Sequence, residues 1–234
     1  TINEYRATRI GSLPFALKHF NNVYMNSEKN FNWDLSCVDS MFLGGESVSQ
    51  ALYKEFCNEV NAYGFSIDKV YPLYGLTEAT IMLTANRLGK HARTFEITND
   101  KLVIGDKVQC RELADGETAD NVFLEMGTPL ETVHLSIRDD NFQELPEGHL
   151  GQICASGPCI TAGYYQDSEA TDKVFFEEKW LCTGDIGFIQ DNNLIIIGRE
   201  KELVVANGKK VSCAQIEELI NKHLHNPKHQ QCAV

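Results

Sequence analysis

The chain changes its local pattern near residue 80, and this change constrains the fold more than any other feature. Before it, short apolar runs such as residues 40–43 alternate with a helical pattern over 50–62, whose apolar side chains recur on one face. After it, extended runs alternate with turn-forming triplets such as GDK, PEG and DNN. We therefore predict an α/β fold with an α/β subdomain over residues 1–80 and a β-rich, barrel-like subdomain over 81–199.

The composition narrows the classes of function. With 43% hydrophobic and 23% charged residues, the sequence is typical of a globular protein, and no apolar run reaches the length of a membrane span. The formal net charge of −12 and the lack of a basic cluster argue against a nucleic-acid partner. The eight cysteines include no CxxC pair, which favours free thiols in a reducing, cytoplasmic compartment over a metal site.

Two glycine-containing turns follow predicted strands in the first subdomain. In YGLTE at 74–78, a strand end brings together an aromatic ring, a hydroxyl and a carboxylate, which can stack on a base, bond a phosphate and bind Mg²⁺. In GGES at 44–47, paired glycines let the backbone approach a flat ligand. A threonine N-cap and a simple strand-to-helix turn would explain the same two motifs without any ligand.

A third motif, TGDIG at 183–187, places Asp185 between two glycines. A carboxylate in this position can accept hydrogen bonds from both hydroxyls of a ribose, as acidic residues do in other nucleotide sites. An aspartate that caps its own tight turn is the alternative interpretation.

The sequence beyond Gly198 predicts a change of structure. The segment GREKE at 198–202 contains several charged side chains, a pattern that is typical of a solvated turn. ELVVANGKKV then predicts a hairpin that turns at Asn207 and Gly208. A helical pattern follows over residues 214–224.

Three motifs of the chain resemble those of the adenylate-forming (AMP-binding, acyl-CoA synthetase-like) superfamily in their order and spacing. They are YPLYGLTEA, WLCTGDIGF and GREKELVVANGKKV. The resemblance implies ATP as substrate, AMP as the group transferred, and Mg²⁺. It assigns adenine stacking to Tyr74, the α-phosphate to Thr77 and the ribose to Asp185. It also implies that Thr77 and Glu78 are catalytic, that Glu78 holds the metal, and that Lys201 is the hinge of a C-terminal lid. The implied nucleotide-binding residues are Gly44, Gly45, Glu46, Tyr74, Gly75, Asp185 and Arg199.

Several segments resemble the fatty acyl-AMP ligase branch in particular. The segment that contains the first motif in that branch is similar to GFSIDKVYPLYGLTEATIMLT here. The segment that lines its substrate pocket is similar to RATRIGSLPFALKHF. The extra residues near 95–121 resemble an insertion in that branch, which restrains the C-terminal domain and disfavours the use of coenzyme A as acyl acceptor. The implied function is ATP-dependent activation of a fatty acid to an acyl-adenylate, with transfer to an acyl carrier protein. A fatty acyl-CoA ligase and a non-catalytic nucleotide- or acyl-binding module are the alternatives.

The resemblance covers nearly the whole chain, but only the middle and late part of a longer enzyme. We therefore expect an internal fragment, inactive by itself, whose residues 200–234 are the truncated start of a small α+β C-terminal lid domain. The phosphate loop would lie before residue 1 and the catalytic lysine after Val234. Cys213 and Gln215 depart from the branch, where a proline and an acidic residue are usual, and neither position is implied to touch the nucleotide.

Overall fold

The computed structural model describes residues 1–28, 30–46, 48–99, 101–114, 117–119, 121–177, 179–206, 209–212 and 216. Its helices are α1 (Ile2–Tyr5), α2 (Pro14–Met25), α3 (Gln50–Val60) and α4 (Ser168–Val174). Its strands are β1 (Arg9–Ser12), β2 (Ser40–Leu43), β3 (Val70–Tyr74), β4 (Thr84–Ala85), β5 (Thr94–Ile97), β6 (Cys110–Glu112), β7 (Val122–Leu124), β8 (Thr128–Pro129), β9 (His134–Arg138), β10 (Gly151–Ser156), β11 (Phe175–Phe176), β12 (Trp180–Gln190), β13 (Asn193–Arg199), β14 (Leu203–Ala206) and β15 (Lys209–Ser212). The predicted α/β class with a strand-rich second part is confirmed.

The first sheet has the strand order β1-β2-β3-β4-β8. The first three strands are parallel, and β4 and β8 continue the sheet antiparallel. Helix α2 connects β1 to β2, and α3 connects β2 to β3, as parallel neighbours require. The carboxyl ends of β1, β2 and β3 therefore share one edge of the sheet, which is where open α/β sheets usually bind ligands.

The sequence explains the helices of this region well. Helix α2 begins with Pro14, whose fixed φ and missing N–H suit the first helical position. Helix α3 has Ser49 at its N-cap and ends at Val60, after which residues 61–63 form a 3₁₀ turn. The predicted strand over 40–43 is β2, residue for residue. These elements bury one core, which contains Leu17, Val38, Met41, Leu43, Tyr53, Phe56, Cys57, Val60, Phe65, Val70 and Leu124.

The second region contains an antiparallel sheet, β11-β12-β10-β9, with β13 paired to β12. The predicted DNN turn joins β12 to β13, and its residues Asp191 and Asn192 both have positive φ, 49° and 61°. This backbone matches the twist of the flanking strands in a two-residue hairpin turn. A further core joins the two regions and contains Tyr74, Ala79, Leu83, Met126, Val133, Ile137, Ile153, Ala155 and Leu194.

The predicted insertion near 95–121 forms most of a small sheet, β6-β5-β7. Its apolar half packs inward, since Leu102 and Val108 are buried in one cluster with Phe188 of β12. Its polar half faces solvent, where Arg111 pairs with Glu96 at 2.7 Å and also with Glu117. The segment is therefore part of the core on one side and a solvated surface on the other.

Strands β14 and β15 pair antiparallel, with Ala206 opposite Lys209, as the predicted hairpin requires. Its predicted turn residues Asn207 and Gly208 lie outside the described residues, and so does the predicted helix over 214–224 apart from the helical Ile216. Among the helices that the structure describes, none has both the length and the apolar character needed to cross a membrane.

Candidate active site

Two glycine turns lie at the carboxyl edge of the first sheet, where the strands β2 and β3 end. A Cβ atom on Gly44 would lie 2.6 Å from the carbonyl oxygen of Leu73, and one on Gly75 would overlap the carbonyl of Ile81. Gly45 has φ +87°, a backbone conformation that favours glycine. Close backbone neighbours therefore account for Gly44 and Gly75, and the positive φ accounts for Gly45. The side chains of Leu73 and Leu13 fill the space beside Gly44 and Gly45, respectively.

A bulge in β12 positions Asp185. Residues 183–185 of β12 lie opposite the single residue Ile153 of β10, because Gln152 pairs with Ile186 and Cys154 pairs with Cys182. The Thr183 hydroxyl donates to the Ile153 carbonyl at 2.9 Å and accepts the Asp185 N–H at 3.2 Å. Bulges commonly redirect a side chain next to a functional site.

The bulge directs Asp185 toward the end of β3, where it contacts two other predicted site residues. The Tyr74 hydroxyl donates to Asp185 Oδ2 at 2.5 Å, although 111 residues separate the two in sequence. Arg199, the cross-strand partner of Asp185, places its Nε 3.5 Å from Asp185 Oδ1. The Arg199 side chain is 67% exposed, whereas that of Asp185 is 13% exposed. The structure thus brings three sequence-predicted residues together around one largely buried carboxylate.

The environment of this carboxylate sets its protonation. Burial raises the pKa of Asp185 above its ordinary value, while the hydrogen bond from Tyr74 and the charge of Arg199 oppose the rise. Burial, followed by the negative charge of Asp185, raises the pKa of Tyr74. Tyr74 therefore stays a neutral hydrogen-bond donor, and it favours the ionised form of Asp185.

Glu78 lies on a single 3₁₀ turn, Thr77–Ala79, directly after the Gly75 turn. The Tyr164 hydroxyl donates to Glu78 Oε1 at 2.8 Å, and the pKa of Tyr164 is raised mainly by this bond. The backbone of the same turn is held by Thr161, whose N–H donates to the Glu78 carbonyl at 2.7 Å. Glu78 is half-buried and Thr77 is exposed, so both side chains can meet a ligand.

The residues around Glu78 are compatible with Mg²⁺. No group of three or more potential metal ligands occurs in the part of the chain that the structure describes. Mg²⁺ commonly binds through one or two carboxylates together with substrate phosphates and water, so a single accessible glutamate suffices.

Two predicted site residues have other contacts. Glu46 accepts the N–H of Phe15 at 3.2 Å, and its carboxylate thereby satisfies a free donor at the N-terminus of α2. Lys201 lies exposed in the 3₁₀ turn Glu200–Glu202, between β13 and β14. A hinge at this position would separate the second sheet from the β14–β15 hairpin.

Sequence reasoning missed two positioning residues, Thr183 and Tyr164. Thr183 could have been noticed as the hydroxyl that precedes the acid in the TGD motif. Tyr164 belongs to an aromatic pair after Gly163, and nothing in the sequence connects it to Glu78, which is 86 residues away.

Known proteins resemble this chain in sequence and in fold. A family model described as AMP-binding enzyme matches residues 1–165. One relative, from Caulobacter vibrioides, is named provisionally as an acyl-CoA synthetase; it is 33% identical over 180 residues, which are 77% of this chain and 31% of the relative. The medium-chain-fatty-acid–[acyl-carrier-protein] ligase JamA of Moorena producens is 27% identical over 95% of this chain and 38% of its own length.

Solved structures agree with these relatives. A chain from a study of fatty acyl-adenylate ligases from E. coli and L. pneumophila aligns with a TM-score of 0.83 and 25% identity, over 95% of this chain and 40% of that one. The present chain spans about a third of the length of the curated relatives described above. The family match and the shared fold lead to one conclusion: the chain belongs to the AMP-binding enzyme family, and its relatives include fatty acyl-adenylate ligases.

Proposed function

We propose that the complete protein containing this chain activates a fatty acid with ATP. A carboxylate oxygen of the fatty acid attacks the α-phosphorus, the new O–P bond forms, and the bond to the bridging oxygen breaks. Pyrophosphate leaves with that oxygen, and the product is an acyl-adenylate. The observation that carries the proposal is the buried carboxylate of Asp185, held by Tyr74 and flanked by Arg199.

In this proposal Asp185 accepts hydrogen bonds from the two ribose hydroxyls. One of its oxygens is bonded to Tyr74 and the other lies near Arg199, so the carboxylate is oriented before the ligand arrives. Tyr74 is 8% exposed, which leaves little of its ring open to an adenine. We therefore assign Tyr74 mainly to the orientation of Asp185, and adenine stacking is limited to the exposed part of the ring. Arg199 is exposed enough to reach the ribose or the phosphates.

The remaining roles lie along the same edge of the sheet. Glu78 would hold Mg²⁺, which supplies neutralisation of phosphate charge when it is bound. The exposed Thr77 hydroxyl would donate to the α-phosphate, where negative charge increases during the reaction. Gly44 and Gly45 would present backbone without side chains of their own to the adenine, and Glu46 would line the same side from the turn after β2, where it contacts the N-terminus of α2.

An acyl carrier protein is the acceptor that we propose for the acyl group, because JamA is named for that acceptor. The segment over 95–121 would restrain the part of the chain beyond Lys201, which would start a mobile lid over residues 200–234. The docked side chains Leu102 and Val108 support this role, since they fix the segment to the β-rich region.

A fatty acid-dependent exchange of radioactive pyrophosphate into ATP tests the adenylation step in the complete protein. We expect exchange that requires both a fatty acid and Mg²⁺. A folded protein that binds AMP but catalyses no exchange with any chain length would instead be a non-catalytic nucleotide-binding module.

A fatty acyl-CoA ligase is the second candidate, and the name of the Caulobacter vibrioides relative favours it. Both candidates share the adenylation step, so the acceptor separates them. Acyl-adenylate made by the enzyme is offered either coenzyme A or a phosphopantetheinylated acyl carrier protein. We expect acyl transfer to the carrier protein, and efficient formation of acyl-CoA would favour the second candidate.

A further inference from the structure

Two cysteines lie opposite each other at the edge of the bulge that holds Asp185. Cys154 of β10 and Cys182 of β12 are paired directly across the antiparallel ladder. The Cys182 thiol also donates to Gln152 Oε1 at 3.0 Å. Neither cysteine is in a disulfide in this structure.

The two thiols are not equivalent. Cys154 is fully buried, whereas Cys182 is half-buried. The neighbouring Cys154 thiol and then the Gly184 N–H lower the pKa of Cys182, whereas the Cys182 thiol and then burial raise the pKa of Cys154. Cys182 is thus the thiol that a small oxidant reaches, and Cys154 is placed to react second.

Paired cysteines in neighbouring antiparallel strands are close to the separation that a disulfide needs. Residues directly opposite have Cβ atoms about 4.5–5.5 Å apart, and a disulfide places them about 3.5–4.5 Å apart. Closure therefore requires the two strands to approach by about 1 Å at this pair. The strands meet the bulge immediately beyond Cys182, so the movement is transmitted to Thr183 and Asp185.

We propose that Cys154 and Cys182 form a peroxide-sensitive dithiol whose closure to a disulfide distorts the bulge at residues 183–185 and weakens nucleotide binding. Formation of the disulfide is independent of the function proposed above, whereas its effect on nucleotide affinity rests on that function.

The chemistry has two balanced steps. The Cys182 sulfur attacks one oxygen of hydrogen peroxide, an S–O bond forms, the O–O bond breaks, and the departing hydroxide takes the thiol proton as water. The Cys154 sulfur then attacks the sulfenic sulfur, the S–S bond forms, and the S–O bond breaks; the departing hydroxide takes the Cys154 thiol proton and leaves as a second water. Peroxide is reduced by two electrons, which come from the two sulfurs, and a dithiol reductant reverses the oxidation.

Peptide mapping tests whether the disulfide forms. The reduced complete protein is treated with a small excess of hydrogen peroxide, alkylated in denaturant with N-ethylmaleimide, and digested without reductant. We expect a linked pair of peptides containing Cys154 and Cys182, and its loss after dithiothreitol. Alkylation of both residues, or their linkage to other cysteines, would overturn the proposal.

Nucleotide affinity tests the coupling, by calorimetry with AMP on the reduced and oxidised protein. We expect oxidation to weaken AMP binding about tenfold, the scale of one lost hydrogen bond to a charged group. Cys182→Ala should abolish the effect of peroxide and keep the reduced affinity, and Cys154→Ala should do the same. Cys110→Ala, a half-buried cysteine on β6, is the matched control and should respond like the wild type.

The outcomes separate the two proposals. A mapped disulfide with unchanged AMP affinity overturns the coupling to Asp185. Absence of AMP binding in the reduced protein overturns the proposed function instead, while the peptide map still decides whether the dithiol closes.

Discussion

Asp185 and Glu78 are two of the three acids predicted to meet the nucleotide, and the fold holds these two differently. Asp185 lies on a bulge between two strands, with its side chain 13% exposed and bonded to the buried Tyr74. Glu78 lies on one 3₁₀ turn and accepts a hydrogen bond from Tyr164, which is itself 39% exposed. A fixed, buried acid suits a constant contact such as a ribose, and an accessible acid suits a metal that exchanges water.

The two acids also differ in the free-energy cost of keeping them ionised. Burial penalises the charge of Asp185, and the hydrogen bond from Tyr74 and the positive charge of Arg199 offset part of this penalty. Loss of either partner should therefore raise the pKa of the acid further. Among the residues that the structure describes, the Glu78 carboxylate is hydrogen-bonded to the partly exposed Tyr164, so changes around it should alter the reaction more than the binding of AMP. The four variants that follow test this difference, from the largest expected effect to the smallest.

Glu78→Gln should lower the rate of fatty acid-dependent pyrophosphate exchange by roughly 10²–10³-fold, the usual scale for losing one charge-stabilising group. AMP affinity should change little, because AMP needs no metal at this position. Glu169→Gln, an exposed acid on α4, is the control. An unchanged exchange rate would remove Glu78 from the proposed metal site.

Asp185→Ala should weaken AMP binding about ten- to a hundredfold, because a hydrogen-bonded charged group is worth roughly 1.5–3 kcal/mol. Calorimetry on the complete protein measures the effect, and circular dichroism checks the fold. Asp140→Ala, in the exposed turn after β9, should bind as the wild type does. An intact variant with wild-type affinity would return Asp185 to the role of a turn-capping residue.

Tyr74→Phe should weaken AMP binding roughly two- to tenfold at neutral pH, the scale of one hydrogen bond. It should also change the pH dependence. The lost bond favours the ionised form, so the already raised pKa of Asp185 rises further in the variant. Because the ribose needs the ionised carboxylate, AMP binding should be lost at a higher pH on acidification.

Titrations of AMP affinity against pH measure this shift. Tyr71→Phe is the control, since it removes a hydroxyl from the same strand that bonds the Gly89 N–H and not Asp185. If Tyr74→Phe and the wild type lose affinity at the same pH, Tyr74 does not tune Asp185.

Tyr164→Phe should have the smallest effect, less than about threefold on pyrophosphate exchange, because an exposed hydrogen bond contributes little. Tyr165→Phe, whose ring is 90% exposed, should have none. A loss as large as that of Glu78→Gln would mean that Tyr164 contacts the substrate itself, and the contrast between the two acids would then fail.

The sequence predicts an element correctly where its structure depends on residues that are close together in the chain. Strand β2 and helix α3 follow from apolar spacing, and the hairpin at Asp191 follows from its turn residues. Helix α4 was not predicted, because it is short and buries none of its residues, so it carries no amphipathic pattern.

The site was predicted as motifs, and its geometry was not. The bulge at Asp185 depends on the register between β12 and β10, which local sequence does not encode. The bond from Tyr74 to Asp185 spans 111 residues. The burial of Leu102 and Val108 likewise depends on packing against a distant strand, so an apolar run could be noticed but not its contacts.

Removing the ribose hydroxyls from the ligand tests the role of Asp185 most directly. AMP and 2′,3′-dideoxy-AMP differ only in the groups that the carboxylate is proposed to bind, so their affinities for the wild type and for Asp185→Ala form a closed cycle. We expect the wild type to prefer AMP by about tenfold or more, and the variant to bind both ligands equally. Equal affinities in the wild type, or a preference that survives in Asp185→Ala, would contradict ribose binding by Asp185.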